Sequence, residues 1–232
     1  MIKKITLILL VMCLLILVFV TGGYYAISEL RKISAVRQVG IKNITSYMLS
    51  TTPNIEARLY YGNQKAPLVF VAYMDMNSST SKKFIENIYP QLRDEYIHTG
   101  KMKFYAKYYL TKEDYVKKTE RFIYAQSLAC SGYLSRDNYY DFYVELIGTS
   151  LKELGKLLQK YNISKEDFNK CFENIDFPEL HQDSFEVEKF NIISLNPVFY
   201  IGVEQPRQII AGIPVYSDLK RTLKDLQISI GD

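Results

Sequence analysis

Tryptophan is absent from the 232 residues, histidine occurs twice and cysteine three times. Each shortage excludes a class of chemistry. His98, His181 and the scattered cysteines Cys13, Cys130 and Cys171 supply no ligand pair at short spacing, so no metal site is expected. Neither histidine stands in a base-plus-orienter pattern and no Gly-x-Ser-x-Gly elbow occurs, which argues against a serine hydrolase. Glycine-rich phosphate loops are missing, and no cofactor is expected. Three cysteines do not make a disulfide scaffold, and a chain of this length buries enough surface to fold without one. Long blocks of one charge are also lacking. The 29 basic and 25 acidic residues alternate along the later part of the chain, the pattern of a solvated surface rather than of a nucleic-acid binder.

What is present is a globular composition, 48% apolar and 23% charged, with its apolar residues unevenly placed. Thr6 is the one polar side chain between Ile5 and Val20, and no charge appears between Lys4 and Glu29. A run of this kind approaches the roughly 20 residues that cross a ~30 Å hydrocarbon core. Residues 1–28 are therefore expected to be an N-terminal transmembrane anchor, with a signal peptide cleaved near Ala26-Ile27-Ser28 as the competing reading. Both readings make the protein membrane-associated or exported, with the soluble part outside the cytoplasm. Arg31, Lys32 and Arg37 beyond the run weaken the vote of Lys3 and Lys4 for that orientation. Residues 29–55 read as a stalk or linker ending at Pro53. Asn-x-Ser/Thr sequons stand at Asn43, Asn77 and Asn162.

Residues 56–230 carry the fold. Arg58–Gly62 reads as a short strand and Pro67–Asp75 (PLVFVAYMD) as a strand buried on both faces. Asn77, Ser78 and Ser79 are good helix caps, and Phe84, Ile88 and Leu92 continue a helix to about His98. Met102–Leu110 alternates Met102, Phe104, Ala106 and Tyr108 with Lys103, Tyr105 and Lys107, as a strand does. Helical patterns fill residues 111–189 and suggest four helices. A hairpin of Pro197–Gly202 with Arg207–Ala211 and an amphipathic helix at Tyr216–Leu226 end the chain. The order is β-β-α-β, a helical insert, then β-β-α.

That order, with its segments, resembles DsbA-type disulfide oxidoreductases: an α/β, thioredoxin-like fold with a central mixed sheet flanked by helices and an inserted helical domain. YMDMNSSTSKKF at Tyr73–Phe84 is similar to the family's F-S-D-F-x-C-P-Y-C-K-K-F, and EYIHTGKMKF at Glu95–Phe104 to E-Y-x-x-T-G-K-V-x-F. ISLNPVFYIG at Ile193–Gly202 is similar to V-S-G-T-P-T-F-F-I-G. SLACSGYL around Cys130, FNKCFEN around Cys171 and IIAGIPVYSDLK near the end add to the match.

The departures decide what the resemblance implies. The redox cysteines fall on Ser78 and Ser81, so the C-x-x-C is replaced by Ser78-Ser79-Thr80-Ser81. Thiol-disulfide exchange needs a thiolate, and a serine hydroxyl has no accessible anion. The buried carboxylate that relatives usually carry six residues earlier is here Ala72. Pro197 occupies the family's cis-proline position, with Asn196 before it; in relatives that exposed backbone pairs with extended peptides. The resemblance thus implies a degenerate active site that retains a peptide-binding groove at Asn196 and Pro197, with an extended polypeptide as partner. Cys130 and Cys171 lie in segments matching family cysteine positions and are candidates for one structural disulfide; two buried small hydrophobes is the other reading. The functional expectation is a membrane-anchored, redox-inactive binding protein. The alternative is a thiol-disulfide oxidoreductase in which Ser78 and Ser81 replace cysteines of the natural chain, or one acting through its remaining cysteines.

Overall fold

The computed structural model describes residues 52–56, 58–192 and 197–229. The expected anchor at 1–28, most of the stalk and Asn196 lie outside the described residues. Among those described, no helix is long and apolar enough to cross a membrane.

Five strands form one mixed sheet in the order β1-β3-β2-β4-β5: β1 Tyr61–Gly62, β2 Leu68–Met74, β3 Met102–Tyr108, β4 Val198–Val203 and β5 Gln205–Ala211. β2 runs parallel to β3, whereas β1–β3, β2–β4 and β4–β5 are antiparallel. Every residue of β2 is buried, and its alternating side chains enter two cores. Leu68, Phe70, Ala72 and Met74 pack with Phe84, Leu128, Phe142 and Leu219 on one face. Val69, Val71 and Tyr73 pack with Tyr105, Val187 and Tyr200 on the other.

Helices cover both faces: α1 Ser79–Asn87, α2 Tyr89–Leu92, α3 Lys112–Lys117, α4 Glu120–Leu134, α5 Tyr139–Leu146, α6 Leu154–Lys160, α7 Lys165–Asn174, α8 Pro178–Lys189 and α9 Tyr216–Ile228. The final helix runs two residues beyond its expected end. Four differences from the sequence reading have local causes. The first strand shortens from Arg58–Gly62 to Tyr61–Gly62, because Arg58 is drawn to α8, where it pairs with Asp183 and donates to the Glu179 carbonyl. Gly62 itself has φ +119°, and a Cβ there would collide with the carbonyl oxygen of Met102. The single helix expected to His98 is broken, since Pro90 near the start of α2 has no N–H to continue the ladder from α1. A π-turn at Arg93–Ile97 follows, closed by the His98 amide donating to the Arg93 carbonyl at 2.8 Å.

The insert holds six helices, α3 to α8, rather than four. Lys118, with φ +50°, ends α3 in a left-handed cap and splits what reads as one amphipathic stretch. Pro178 then opens α8, whose charged residues hide its amphipathicity in the sequence. The fourth difference concerns the alternation of β3. Lys107 is fully buried rather than on a wet face, so β3 is covered on both sides.

Candidate functional site

The Ser78-Ser79-Thr80-Ser81 motif starts α1. Ser78 is its N-cap in extended geometry, and the Ser78 hydroxyl accepts from the Thr80 amide at 3.1 Å. Ser79 is exposed and Ser78 half-buried, while Ser81 is fully buried and its hydroxyl has no partner among the described residues. The motif thus has an accessible outer position and a sequestered inner one, each filled by a group without nucleophilic reach at neutral pH. No hydrogen bond among the described residues joins these serines to His98 or His181: His98 meets Tyr61 at 2.6 Å and the His181 ring packs on Tyr115. Ala72 sits buried in β2 opposite Ala106 of β3, leaving no ionisable group at that rung.

The loop leading into the motif is fastened to the insert. The Asp75 carboxylate accepts from the Asn77 amide at 2.9 Å and from Arg121 Nε at 2.8 Å. Arg121 Nη1 donates to Asp114 Oδ2 at 2.7 Å, so one guanidinium bridges two acids. The Met76 carbonyl accepts from the Gly148 amide at 2.9 Å. Asn77 Nδ2 donates to Glu120 Oε2 at 3.2 Å. Burial alone would push the Asp114 carboxyl up, but hydrogen bonds from Thr119, Thr111 and Arg121 outweigh it and hold the group at about 2.

Pro197 is buried one residue before β4. Val198 pairs with Tyr73 in the β2–β4 register, so Pro197 stands beside the end of β2 from which the Ser78 loop departs. The register therefore brings the serine motif and Pro197 to one end of the sheet. The Pro197 carbonyl accepts from the Gly212 amide at 2.8 Å, and just beyond Gly212 the side chains of Ile213 and Val215 are 36% and 66% exposed. Cys130 of α4 and Cys171 of α7 form a disulfide with Cα atoms 5.9 Å apart, both cysteines buried in the insert.

A buried charge cluster behind the sheet escaped the sequence reading. Lys107 of β3 contacts Glu186 and lies 3.0 Å from Asp183 Oδ1, both acids being on α8. Asp183 also pairs with Arg58 and accepts from the Tyr108 amide at 2.9 Å; Glu186 accepts from the Tyr73 hydroxyl and from the Asn54 amide at 3.0 Å. Burial pushes the Lys107 ammonium down to about 7, Arg58 adding to the shift and Glu186 opposing it. Burial and then Glu186 raise the Tyr73 phenol. The one signal in the sequence is Asp183 standing between Leu180 and Val187 at helical spacing, an acid on an apolar stripe.

Comparison with known proteins fits this geometry. No curated protein matches the chain. Among solved structures, oxidised BdbD from Bacillus subtilis aligns with a TM-score of 0.64 at 19% identity, covering 76% of this chain and 96% of that one. Wolbachia pipientis α-DsbA1 gives 0.62 at 17% identity over 75% of this chain and 92% of that one. Chlamydia trachomatis DsbA gives 0.58 at 14% identity over 77% and 95%. In its fold, helical insert included, the chain is similar to these DsbA-type structures; residues 54–225 match the family described as Thioredoxin, and the chain belongs to that family.

Proposed function

We propose that this protein is a membrane-anchored, redox-inactive DsbA-like protein that binds extended polypeptide segments outside the cytoplasm, as a chaperone or accessory subunit. The observation that carries the reading is the end of the sheet where Ser78 caps α1 and Pro197 begins β4, with Ile213 and Val215 exposed beside it. A site with no thiol retains an apolar rim and a strand start, the features an extended peptide uses. The oxidoreductase alternative acting through other cysteines is disfavoured by the Cys130–Cys171 pairing, since both sulfurs are buried and already bonded. The anchoring rests on the apolar run Ile5–Val20. The test is binding of an unfolded, dye-labelled polypeptide to the full chain alongside an insulin-reduction assay. The reading requires binding that falls when Pro197 or Asn196 is changed and no reduction of insulin. Binding that survives both changes sinks the groove, and catalytic reduction sinks the redox-inactive part.

A further inference from the structure

The outer edge of β5 is an unfinished strand pairing. β5 ends the sheet, and the amide of Gly212, the next residue, bonds straight across to the Pro197 carbonyl at 2.8 Å. Hydrogen-bonded rungs alternate along an antiparallel ladder, so in the β4–β5 register they fall at Pro197/Gly212, Phe199/Ile210 and Ile201/Gln208. The N–H and C=O groups of Ile209 and Ala211 therefore point away from β4, and they have no partner among the described residues. Natural proteins blunt such edges, and here only one half is blunted. Pro206 brings no donor, and the irregularity opposite Ile201 and Gly202 leaves Arg207 without a rung. From Gln208 to Ala211 the strand is regular, uncharged and only half-buried, with Ile210 packed towards one core and Ile209 towards the other.

The spacing of these groups selects an occupant. Two outward residues, two positions apart, are met by an extended backbone, and a second copy of β5 meets them in one register. With a two-fold axis at Ile210, Ile209 of each copy lies opposite Ala211 of the other, which closes four backbone hydrogen bonds and satisfies every outward group of Gln208–Ala211. Ile210 of one copy then covers Ile210 of the other. A register shifted by two residues would enlist Arg207, at the irregularity, or Ile213, beyond the turn that Gly212 makes with φ +78°. The axis stands perpendicular to the sheet, so α8 lies on the same face in both copies. That helix packs Val187 on the Val69, Val71 and Tyr73 face, and Glu186 Oε1 holds the entering chain through the Asn54 amide at 3.0 Å. Both chains thus enter on one face, as two copies set in one bilayer require. A shared bilayer also raises the effective concentration enough for a small contact to be populated, a step that rests on the anchoring proposed above.

We infer that the free edge of β5 docks a second copy of this chain, in an antiparallel two-fold pairing centred on Ile210 that joins two five-stranded sheets into one. At the far edges β1 is only two residues long, too short to add a further strand, so the assembly closes as a dimer.

The test places single cysteines in the full chain carrying Cys13→Ser, set in lipid vesicles, with Cys130 and Cys171 already bonded to each other. The two-fold brings the Cα atoms of the two residues 210 to about 4.5–5.5 Å, within disulfide range. Under copper-phenanthroline oxidation, Ile210→Cys is expected to form a linked dimer at least about fivefold faster than Gln208→Cys, which lies off the axis, or Val215→Cys, which is 66% exposed. Ile209→Pro with Ala211→Pro removes both outward donors and leaves the β4 ladder intact; it is expected to slow linkage at 210 about tenfold with an unchanged thermal melt. The contrast between positions 210 and 208 decides the matter even if that variant melts lower. Equal linkage at 210, 208 and 215, or linkage at 210 indifferent to the prolines, overturns the inference. So does slow linkage at 210 with binding of a dye-labelled Thr/Val peptide that the prolines abolish, which assigns the edge to a client polypeptide. Chains that fail to sediment with vesicles refute the anchoring alone, and the same cross-linking in detergent micelles then decides the edge.

Discussion

Lys107 Nζ lies 3.0 Å from Asp183 Oδ1, and neither side chain touches solvent. This pair anchors α8 to β3, and Arg58 completes it from the segment that leads into the domain. Removing one partner of a buried ion pair leaves the other charge uncompensated, which costs about 3–5 kcal/mol. Asp183→Asn is therefore expected to destabilise the fold by that amount in urea unfolding. Asp183→Asn with Arg58→Met is expected to regain part of the loss, because the second change removes the orphaned cation. An unchanged midpoint for the single variant refutes the role given to the cluster.

The same cluster marks where the sequence stopped being legible. The apolar pattern of β2, the cap at Ser78 and the spacing of Phe84 with Ile88 announce a strand-loop-helix unit from short-range signals alone. Lys107 and Glu186 are 79 residues apart, and only the fold brings them together. A lysine alternating with apolar residues reads as the wet side of a strand unless a second helix covers that side. α8 does so while carrying acids on its covering face. The serine motif was legible by position, but the fastening of its loop through Arg121 to Asp75 and Asp114 was not, since those contacts reach across the insert.

The Cys130–Cys171 bridge closes a loop with a sequence separation of 41. Loop-closure entropy for that length corresponds to about 4 kcal/mol of stability. Cys130→Ala with Cys171→Ala is expected to lower the unfolding free energy by a comparable amount, and the native chain to show a lower melting temperature in strong reductant. Mass measurement after alkylation under denaturing conditions checks the bond directly: with no reductant, only Cys13 is expected to label.

Ser78 caps α1, a helix with no acidic residue in its first turn. The amide N–H groups there would favour an anion, which is how a helix start depresses a thiol below its usual ~8.5. Ser78→Cys is expected to give a thiol that alkylates with a pH midpoint below that value. Ser81→Cys, at a fully buried position, is expected to react far more slowly. The double variant should form a disulfide and show insulin reduction above the level of the native chain. If the thiol introduced by Ser78→Cys titrates like that of a free cysteine, the electrostatic account of the motif is wrong.

Acid should loosen the loop that carries the motif. Asp114, held at about 2 against an unfolded value near 3.8, binds its proton more weakly in the fold than in the open chain. The unfolded state therefore takes up protons first as the pH drops. The contribution of Asp114 is complete above about pH 4 and is lost as the pH falls towards 2. On protonation the Arg121 fork keeps only Asp75, and the Thr111 capping box loses its charge. Asp114→Asn is expected to flatten the pH dependence of stability in this window while lowering stability at neutral pH, measured as urea midpoints from pH 2 to 7. An unaltered slope in the variant would assign the acid response to other carboxylates.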